Sequence, residues 1–234
     1  MQLFYAAELQ GDHYTLDEQE SKHLIRVLRM KPGDTISLTD GSGNLYTAEL
    51  INDDARSCTV RIIGVQAEYG RRNYNIHVAI APTKNINRFE WFLEKSTEIG
   101  IDEITPMICQ RSERKTVKPE RLNKVITSAM KQSVKAYHPV LFEATTFKDL
   151  ISRKHAGEKY IAYIEEGTHP SLKSLYTPGK DAIILIGPEG DFSPEEVLMA
   201  TDMGFKTVSL GTSRLRTETA GVVVCHALAL VNSE

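Results

Sequence analysis

The sequence AIILIGPEGDFSPEEV, residues 182–197, indicates the fold class of the chain. Its first five residues are apolar and predict a buried strand. The two glycines and the proline that follow predict a loop after the strand. Ser193 followed by Pro194 and, three residues after the serine, by Glu196 is the pattern of a capped helix start. A buried strand, a glycine-bearing loop and a helix in that order are typical of a parallel α/β sheet, in which ligands bind at the carboxyl ends of the strands.

The same alternation extends from residue 74 to residue 234. Apolar β-type runs occur at Ile76–Ala81, Ile104–Ile108, Tyr160–Ile164, Ala182–Ile186 and Thr207–Leu210. Helical patterns separate most of them, and they cover Arg88–Ile99, Glu120–Val134 and Pro194–Met203. These patterns predict an α/β domain over residues 74–234 that is built on a parallel sheet.

Residues 1–70 have a different rhythm. Short β-type runs alternate with turn signals, at Leu3–Ala6, Thr35–Thr39, Leu45–Ile51 and Cys58–Val65. The sequence DGSGN at residues 40–44 predicts a hairpin turn between two of them. A short helix is expected over Asp17–Leu28, with Leu24, Val27 and Leu28 on its inner side. This part of the chain therefore predicts a small β-barrel.

Composition and cysteine usage exclude several classes of protein. The chain has 234 residues, 41% of them hydrophobic and 25% charged, which is ordinary for a soluble globular protein. No signal-peptide pattern opens the sequence, and no apolar run is long enough to span a membrane. The three cysteines lack metal-ligand spacing, which argues against a zinc site and against a disulfide framework. We therefore expect a cytoplasmic protein with no bound metal and no contact with a membrane.

Positive charge is concentrated in two segments, although the formal net charge is -3. One extends from Lys22 to Lys31 without an acidic residue, and the other extends from Arg111 to Lys135 with only two. Such segments favour an anionic partner, and the alternative is a merely solvated face. The candidate contact residues are Lys22, Arg26, Arg29, Arg111, Arg114, Lys124 and Lys131.

A second glycine-bearing loop follows the next predicted strand, at LGTSRLRTETA, residues 210–220. Two such loops after successive strands predict two walls of one pocket. The first loop has neither the phosphate-binding GxxxxGK[ST] pattern nor an uninterrupted GxGxxG. Its acidic residues, Glu189 and Asp191, disfavour phosphates and suit a cationic ligand such as S-adenosylmethionine. The alternative is two tight turns before capped helices, with Thr217 capping the last helix.

Two motifs together resemble the signature of the RsmE family. They are LIGPEGDFSPEEV at residues 185–197 and LGTSRLRTETA at residues 210–220. The resemblance extends to HLIRVLRMKPGD at residues 23–34, to residues 84–103 and to QRSE at residues 110–113. RsmE proteins are SPOUT-class enzymes that methylate N3 of a uridine in 16S ribosomal RNA with S-adenosylmethionine. The resemblance implies a PUA-like, RNA-binding β-barrel at residues 1–70, followed by a trefoil-knotted α/β methyltransferase domain that carries the donor site and forms a homodimer.

The resemblance also implies the residues of the donor site. One wall comprises Ile186, Gly187, Glu189 and Gly190, and the other comprises Leu210, Gly211, Leu215 and Arg216. Arg216 is in addition the candidate catalytic residue, which would stabilise negative charge on the reacting uracil; the alternative is a salt bridge from Arg216 to Glu218 or Glu189. Where the family has a glycine this chain has Asp191, so we expect no backbone need for glycine there. Residues 212–214 also depart from the family pattern.

Two other functions fit the same motifs. An RNA methyltransferase of the same class could act on a ribose 2′-hydroxyl instead of a uracil. A non-catalytic RNA-binding protein of ribosome assembly could have kept the fold, although the intact donor loops favour an enzyme. The partners expected are 16S ribosomal RNA or the small ribosomal subunit, and a second copy of the chain, because the segment Ala220–Val231 is apolar nearly all round.

Overall fold

A computed structural model of the chain describes residues 2–7, 9–164 and 169–233. The chain forms two compact units. The first comprises Met1–Arg71 and Thr127–His138, and the second comprises Arg72–Ile126 and Pro139–Glu234. The sequence predicted a division near residue 70, but it did not assign residues 127–138 to the first unit.

A five-stranded sheet forms the first unit, in the order β1-β3-β4-β5-β2. Its strands are β1 Leu3–Tyr5, β2 His13–Thr15, β3 Thr35–Thr39, β4 Leu45–Leu50 and β5 Thr59–Gln66. Strand β1 pairs parallel with β3, and the other pairs are antiparallel. The core on this sheet includes Phe4, Leu24, Leu38 and Val60, all at most 1% exposed.

One short helix of this unit differs from its prediction. Helix α1, Glu18–Lys22, begins at the cap Asp17 and continues as a π-helical turn over His23–Val27. Leu24 is buried as predicted, but Val27 is 66% exposed and Leu28 36% exposed, so their predicted inward position is wrong. The backbone N–H of Leu28 bonds the carbonyl of His23, five residues back. This wider turn rotates Val27 and Leu28 away from the core.

Residues 127–138 are held in the first unit by the predicted hairpin loop. The N–H of Gly43 donates to the Ala136 carbonyl at 2.9 Å, and the N–H of His138 donates to the Gly41 carbonyl at 2.8 Å. A Cβ at Gly43 would lie 2.4 Å from the Tyr137 ring, and the φ of Gly43 is 103°. Close packing and backbone conformation therefore both require glycine at this position.

A parallel sheet forms the second unit and confirms the predicted fold class. Its order is β12-β10-β11-β6-β7-β8, and β9 also pairs with β7. The strands are β6 Ile76–Ile80, β7 Glu103–Ile108, β8 Val140–Leu141, β9 Thr145–Thr146, β10 Glu158–Ala162, β11 Ala182–Ile186 and β12 Lys206–Val208. The helices are α2 Ile86–Ile99, α3 Pro119–Gln132, α4 Phe147–Ser152, α5 Leu172–Leu175, α6 Pro194–Asp202 and α7 Thr217–Val231. Helix α3 spans both units, with its last residues in the first.

Both faces of this sheet are buried, which explains why its strands are continuous apolar runs. Along β6, Val78 joins the core that contains Phe92 and Leu228, whereas Ala79 joins the core on the opposite face. Helix α7 packs on α2 at Gly221, where a Cβ would lie 2.6 Å from the Phe92 ring. None of the helices among the described residues combines the length and the hydrophobicity of a transmembrane span. The trefoil knot stays a prediction.

Candidate functional site

The loop between β11 and α6 lies at the carboxyl edge of the parallel sheet. Ile186 ends the strand and is 2% exposed, and the helix begins with the predicted capping box. Ser193 Oγ accepts from the N–H of Glu196 at 3.2 Å, while a Glu196 carboxylate oxygen accepts from the N–H of Ser193 at 2.9 Å. The helix start is therefore fixed, and it anchors one end of the glycine-bearing loop.

The loop after β7 forms hydrogen bonds to the glycine-bearing loop and to the start of α6. Nη1 of Arg111 donates to the carbonyls of Gly190 at 2.8 Å and of Phe192 at 3.2 Å. The second carboxylate oxygen of Glu196 accepts from the N–H of Gln110 at 2.8 Å. Arg111 was predicted to bind RNA, but its guanidinium holds the carbonyls of the neighbouring loop. The sequence identified Glu196 as part of a cap and gave no signal of this second contact.

The loop after β6 closes the other side of the glycine-bearing loop. A Glu189 carboxylate oxygen accepts from the N–H of Lys84 at 2.9 Å. Arg114 donates to the carbonyls of Thr83 at 3.0 Å and of Lys84 at 2.7 Å. Arg114, also predicted to bind RNA, thus stabilises the backbone that grips Glu189. Contact of Arg111 and Arg114 with RNA stays a prediction.

The two predicted walls of the pocket are joined directly. Thr217 Oγ1 donates to the carbonyl of Gly187 at 3.1 Å. The prediction that Thr217 caps the last helix is wrong, because the cap position is Arg216 and no side chain caps it. The hydroxyl instead bonds a carbonyl of the first loop, so the start of α7 lies against the end of β11.

Asp191 corrects another expectation. Its φ is 59°, in the left-handed region that favours glycine, so the backbone does have a reason for the glycine of the family pattern. Aspartate is accommodated because its own carboxylate accepts from the N–H of Phe192 at 2.8 Å. Burial raises the pKa of Asp191, and the positive charges of Arg111 and Arg214 oppose that rise. Asp191 therefore connects the first loop electrostatically to the second.

The second wall is more open than the first. Leu210 and Leu215 are half-buried and Gly211 is exposed. Gly211 has a φ of 122°, and a Cβ built on it would meet no atom within 4 Å. A left-handed glycine that borders open space next to apolar side chains is suited to close approach of a ligand.

Arg216 is exposed at the end of the second loop. Within the described residues its guanidinium makes no hydrogen bond or ion pair. The alternative of a salt bridge to Glu218 or Glu189 is not realised there, because Glu218 lies 3.9 Å from Arg88 Nε and Glu189 accepts from the Lys84 N–H. The charge of Arg216 is thus free to act on a ligand.

Several of the predicted RNA-binding residues meet in the first unit. Lys22, Arg26 and Lys131 line a groove of about 720 Å³ together with Gln2 and His23. Lys22 pairs with Glu18 and Lys131 with Glu20. Arg29 and Lys124 are exposed elsewhere and do not line this groove.

Comparison with known proteins assigns both parts of the chain. A family model described as "RNA methyltransferase domain" matches residues 71–229, and one described as "RNA methyltransferase PUA domain" matches residues 16–63. The chain is similar to Ribosomal RNA small subunit methyltransferase E of Synechocystis sp., with 31% identity over 94% of this chain and 72% of the relative.

Two solved structures resemble the chain over nearly its full length. One is a probable rRNA methyltransferase from Porphyromonas gingivalis, with 42% identity and a TM-score of 0.94 over 100% of this chain and 99% of that one. The other is Ribosomal RNA small subunit methyltransferase E from Neisseria gonorrhoeae, solved bound to S-adenosyl methionine. It has 26% identity and a TM-score of 0.86 over 97% of this chain and 96% of that one.

Proposed function

The chain belongs to the RsmE family of RNA methyltransferases, and we propose that it transfers a methyl group from S-adenosylmethionine to N3 of one uridine in 16S ribosomal RNA. One observation carries the proposal. The hydrogen bond from Thr217 to Gly187 joins the two glycine-bearing loops, and the second loop ends at Arg216, whose guanidinium has no partner among the described residues. A relative that was solved bound to the donor has the same fold over 97% of this chain, which supports this assignment.

The residues present fit this donor. When bound, S-adenosylmethionine supplies a methyl group on a positively charged sulfonium. The acidic side chains Glu189 and Asp191 suit a cation, and the open space beside Gly211 leaves room for a ligand against backbone. We propose that Ile186, Gly187, Glu189 and Gly190 hold it from one side, and Leu210, Gly211, Leu215 and the backbone of Arg216 from the other, which leaves the Arg216 guanidinium for the acceptor.

Arg216 is the residue that we propose acts on the acceptor. The N3 of uridine carries an imide proton, and the negative charge that develops when this proton leaves spreads onto O2 and O4. A guanidinium that is not neutralised by a carboxylate can donate two hydrogen bonds to such oxygens. The remaining catalysis comes from alignment, because methyl transfer is an in-line displacement and depends on holding both reactants in place.

The groove in the first unit is the proposed RNA contact. Lys22, Arg26 and Lys131 bring positive charge to one surface of a chain whose net charge is -3, and the acidic partners of the two lysines would be exchanged for phosphates on binding. Local fields of this kind bind phosphates even on an acidic protein. Arg29 and Lys124 are proposed as further phosphate contacts. The substrate would be 16S ribosomal RNA, free or within the small ribosomal subunit.

Helix α7 supports the proposal of a homodimer. Its sequence is apolar, yet Leu230 is 45% exposed, and several of its other apolar residues are only half-buried. A second copy packed on this surface would complete their burial. We also propose that the protein acts in the cytoplasm and that its methyltransferase unit carries the trefoil knot of the family. Light scattering at micromolar concentration should give twice the chain mass, and a monomer would contradict the dimer.

The test of the function is a titration with S-adenosylmethionine followed by single-turnover kinetics. Wild-type protein should bind the donor, and Arg216→Ala should lower turnover while changing donor and RNA affinity little. Arg29→Ala and Lys131→Ala should instead weaken RNA binding and reduce its salt slope by about 0.7 to 0.9 per charge. Wild-type protein without a response to the donor would refute the enzyme. A methyl group found on a ribose would favour the 2′-O alternative.

A further inference from the structure

A second cavity lies at the opposite edge of the parallel sheet. It has a volume of about 330 Å³, and its floor is formed where β6, β7 and β11 begin. The first donor loop follows the other end of β11, and the second follows β12 in the same parallel sheet. Because β11 has five residues, the two edges are separated by about 13 Å or more. A ligand in this cavity is therefore not the methyl acceptor.

The floor of the cavity is polar where the rest of that sheet face is apolar. His77 and Thr105 stand in the rows that continue as Ala79 and Met107, which are fully buried. Nε2 of His77 lies 2.8 Å from Thr105 Oγ1, and its Nδ1 lies 3.4 Å from a carboxylate oxygen of Glu103. Buried polar groups cost free energy unless they are bonded, and convergent ones in a cavity are typical of a binding site.

The protonation of this cluster follows from its contacts. Burial lowers the pKa of His77 to about 4, so the imidazole is neutral and carries one N–H. Nδ1 of this imidazole faces the carboxylate of Glu103, and Nε2 shares a hydrogen bond with the Thr105 hydroxyl, which can donate or accept. Asn75 Nδ2 donates to the other oxygen of Glu103 at 3.3 Å. Asp181 also lines the floor, so the floor offers acceptors to N–H groups of a ligand.

The mouth of the cavity offers an aromatic face and positive charge. The ring of Phe142 is 39% exposed, and its centroid lies 5.6 Å from that of His77. Arg153 and Lys154 are exposed on the rim. In the part of the chain that the structure describes, Lys154 has no ion pair, and the Arg153 guanidinium donates only to Thr145 Oγ1 at 3.1 Å.

This combination selects one class of ligand. A simple anion would be repelled by Glu103 and Asp181, and a simple cation would be repelled at the rim. Within the described residues, no three histidine, cysteine or acidic side chains are placed to hold a metal ion. We propose that this cavity binds one nucleotide, with its base against Phe142 and its phosphate at Arg153 and Lys154. The nucleotide is either a free mononucleotide or one residue of an RNA strand.

The probes of the test are the four ribonucleoside 5′-monophosphates, the matching nucleosides and inorganic phosphate. Binding of each probe is measured by calorimetry and by the NMR signals of the His77 ring. At least one monophosphate should bind, its nucleoside should bind more weakly, and phosphate alone should not bind. Phe142→Ala should weaken binding at least about fivefold, because a base loses its stacking surface. Lys154→Ala should weaken the monophosphate about two- to fivefold and leave the nucleoside unchanged. Lys148→Ala, an exposed lysine of α4 outside the cavity, is the matched control.

Donor affinity should be unchanged in all three variants. The nucleotide site can therefore fail its test while the proposed methyltransferase function stands. No binding of any monophosphate in the millimolar range would overturn the proposal. Phosphate binding as tightly as the monophosphates, with no effect of Phe142→Ala, would also overturn it, since that result describes an anion contact only. Lys154 lies on the surface, so its variant remains informative if Phe142→Ala unfolds. A single-stranded RNA oligonucleotide that displaces the monophosphate identifies RNA as the source, and one that does not identifies a free nucleotide.

Discussion

Replacement of Arg111 tests whether the hydrogen bonds of its guanidinium hold the first donor loop in place or whether that loop is rigid by itself. Arg111→Ala removes both hydrogen bonds from the guanidinium, to the carbonyls of Gly190 and Phe192. The segment from Gly187 to Phe192 then keeps its hydrogen bonds to Lys84, Thr217 and Ile164, its own turn and the packing of the buried Phe192 ring. We expect a loop that samples more conformations and must be ordered again whenever the donor binds.

The magnitude follows from the two bonds. A hydrogen bond with one charged partner contributes about 1.5–3 kcal/mol when it is well shielded from water. Arg111 is exposed, so each of its two bonds is taken at about half of that value, which gives about 1.5–3 kcal/mol for the two together. Since 1.4 kcal/mol is tenfold in an equilibrium constant, donor affinity should fall about 10- to 100-fold. Arg111→Lys should recover part of this loss, because an ammonium can reach one carbonyl but not both.

The assay is calorimetric titration of S-adenosylmethionine into wild type, Arg111→Ala and the control Lys115→Ala. Lys115 is exposed in the same loop and has no hydrogen bond or ion pair to a described residue. RNA binding over a salt series is measured on the same three proteins. Donor affinity equal to wild type in Arg111→Ala would show that these hydrogen bonds do not hold the loop in place. Unchanged donor affinity together with a reduced salt slope would instead identify Arg111 as the RNA contact that the sequence predicts.

Three further substitutions test the packing and the charges of the second unit. Gly221→Ala places a Cβ 2.6 Å from the Phe92 ring, so urea unfolding should show a loss of about 1–3 kcal/mol; unchanged stability would mean that α2 and α7 separate easily. Thr217→Val removes the bond to Gly187 at nearly constant volume and should cost about 1 kcal/mol of stability and weaken donor binding, whereas wild-type donor affinity would contradict the joining of the two loops. Burial lowers the pKa of His77 in the folded protein to about 4, below its ordinary 6.5. Between these two pH values the imidazole is protonated in the unfolded chain and neutral in the folded one. Wild-type stability should therefore fall as pH drops from 6.5 toward 4, by up to about 3 kcal/mol from this residue, and an equal pH dependence in His77→Gln would refute the assignment.

The parts of the fold that the sequence predicts are those with local causes. The start of α6 follows from Ser193, Pro194 and Glu196, which lie within four positions of one another and form the observed capping box. The long strands of the second unit are predictable because both faces of a parallel sheet are buried, which leaves an unbroken apolar run. Strands β8 and β9, at two residues each, are too short to carry any periodicity.

The hydrogen bonds that hold the first donor loop have no signal in the local sequence. Arg111 and Gly190 are 79 residues apart, and Lys84 and Glu189 are 105 apart. A charge count along the chain groups Arg111 with its basic neighbours and therefore predicts an anionic partner, although its guanidinium is used within the protein. Thr217 fails for the same reason, since its position next to a helix start predicts a cap, while a carbonyl 30 residues away takes the hydroxyl. Only the fold brings these groups together.

Methyl transfer to one uridine can be observed in a reconstituted reaction. Purified protein is incubated with methyl-labelled S-adenosylmethionine and small ribosomal subunits, or with free 16S ribosomal RNA, from a strain that lacks this protein. The RNA is then digested and its nucleosides are identified by mass spectrometry. We predict N3-methyluridine at a single position, in an amount that Arg216→Ala strongly reduces. No label in the RNA, or label only on ribose, would contradict the account.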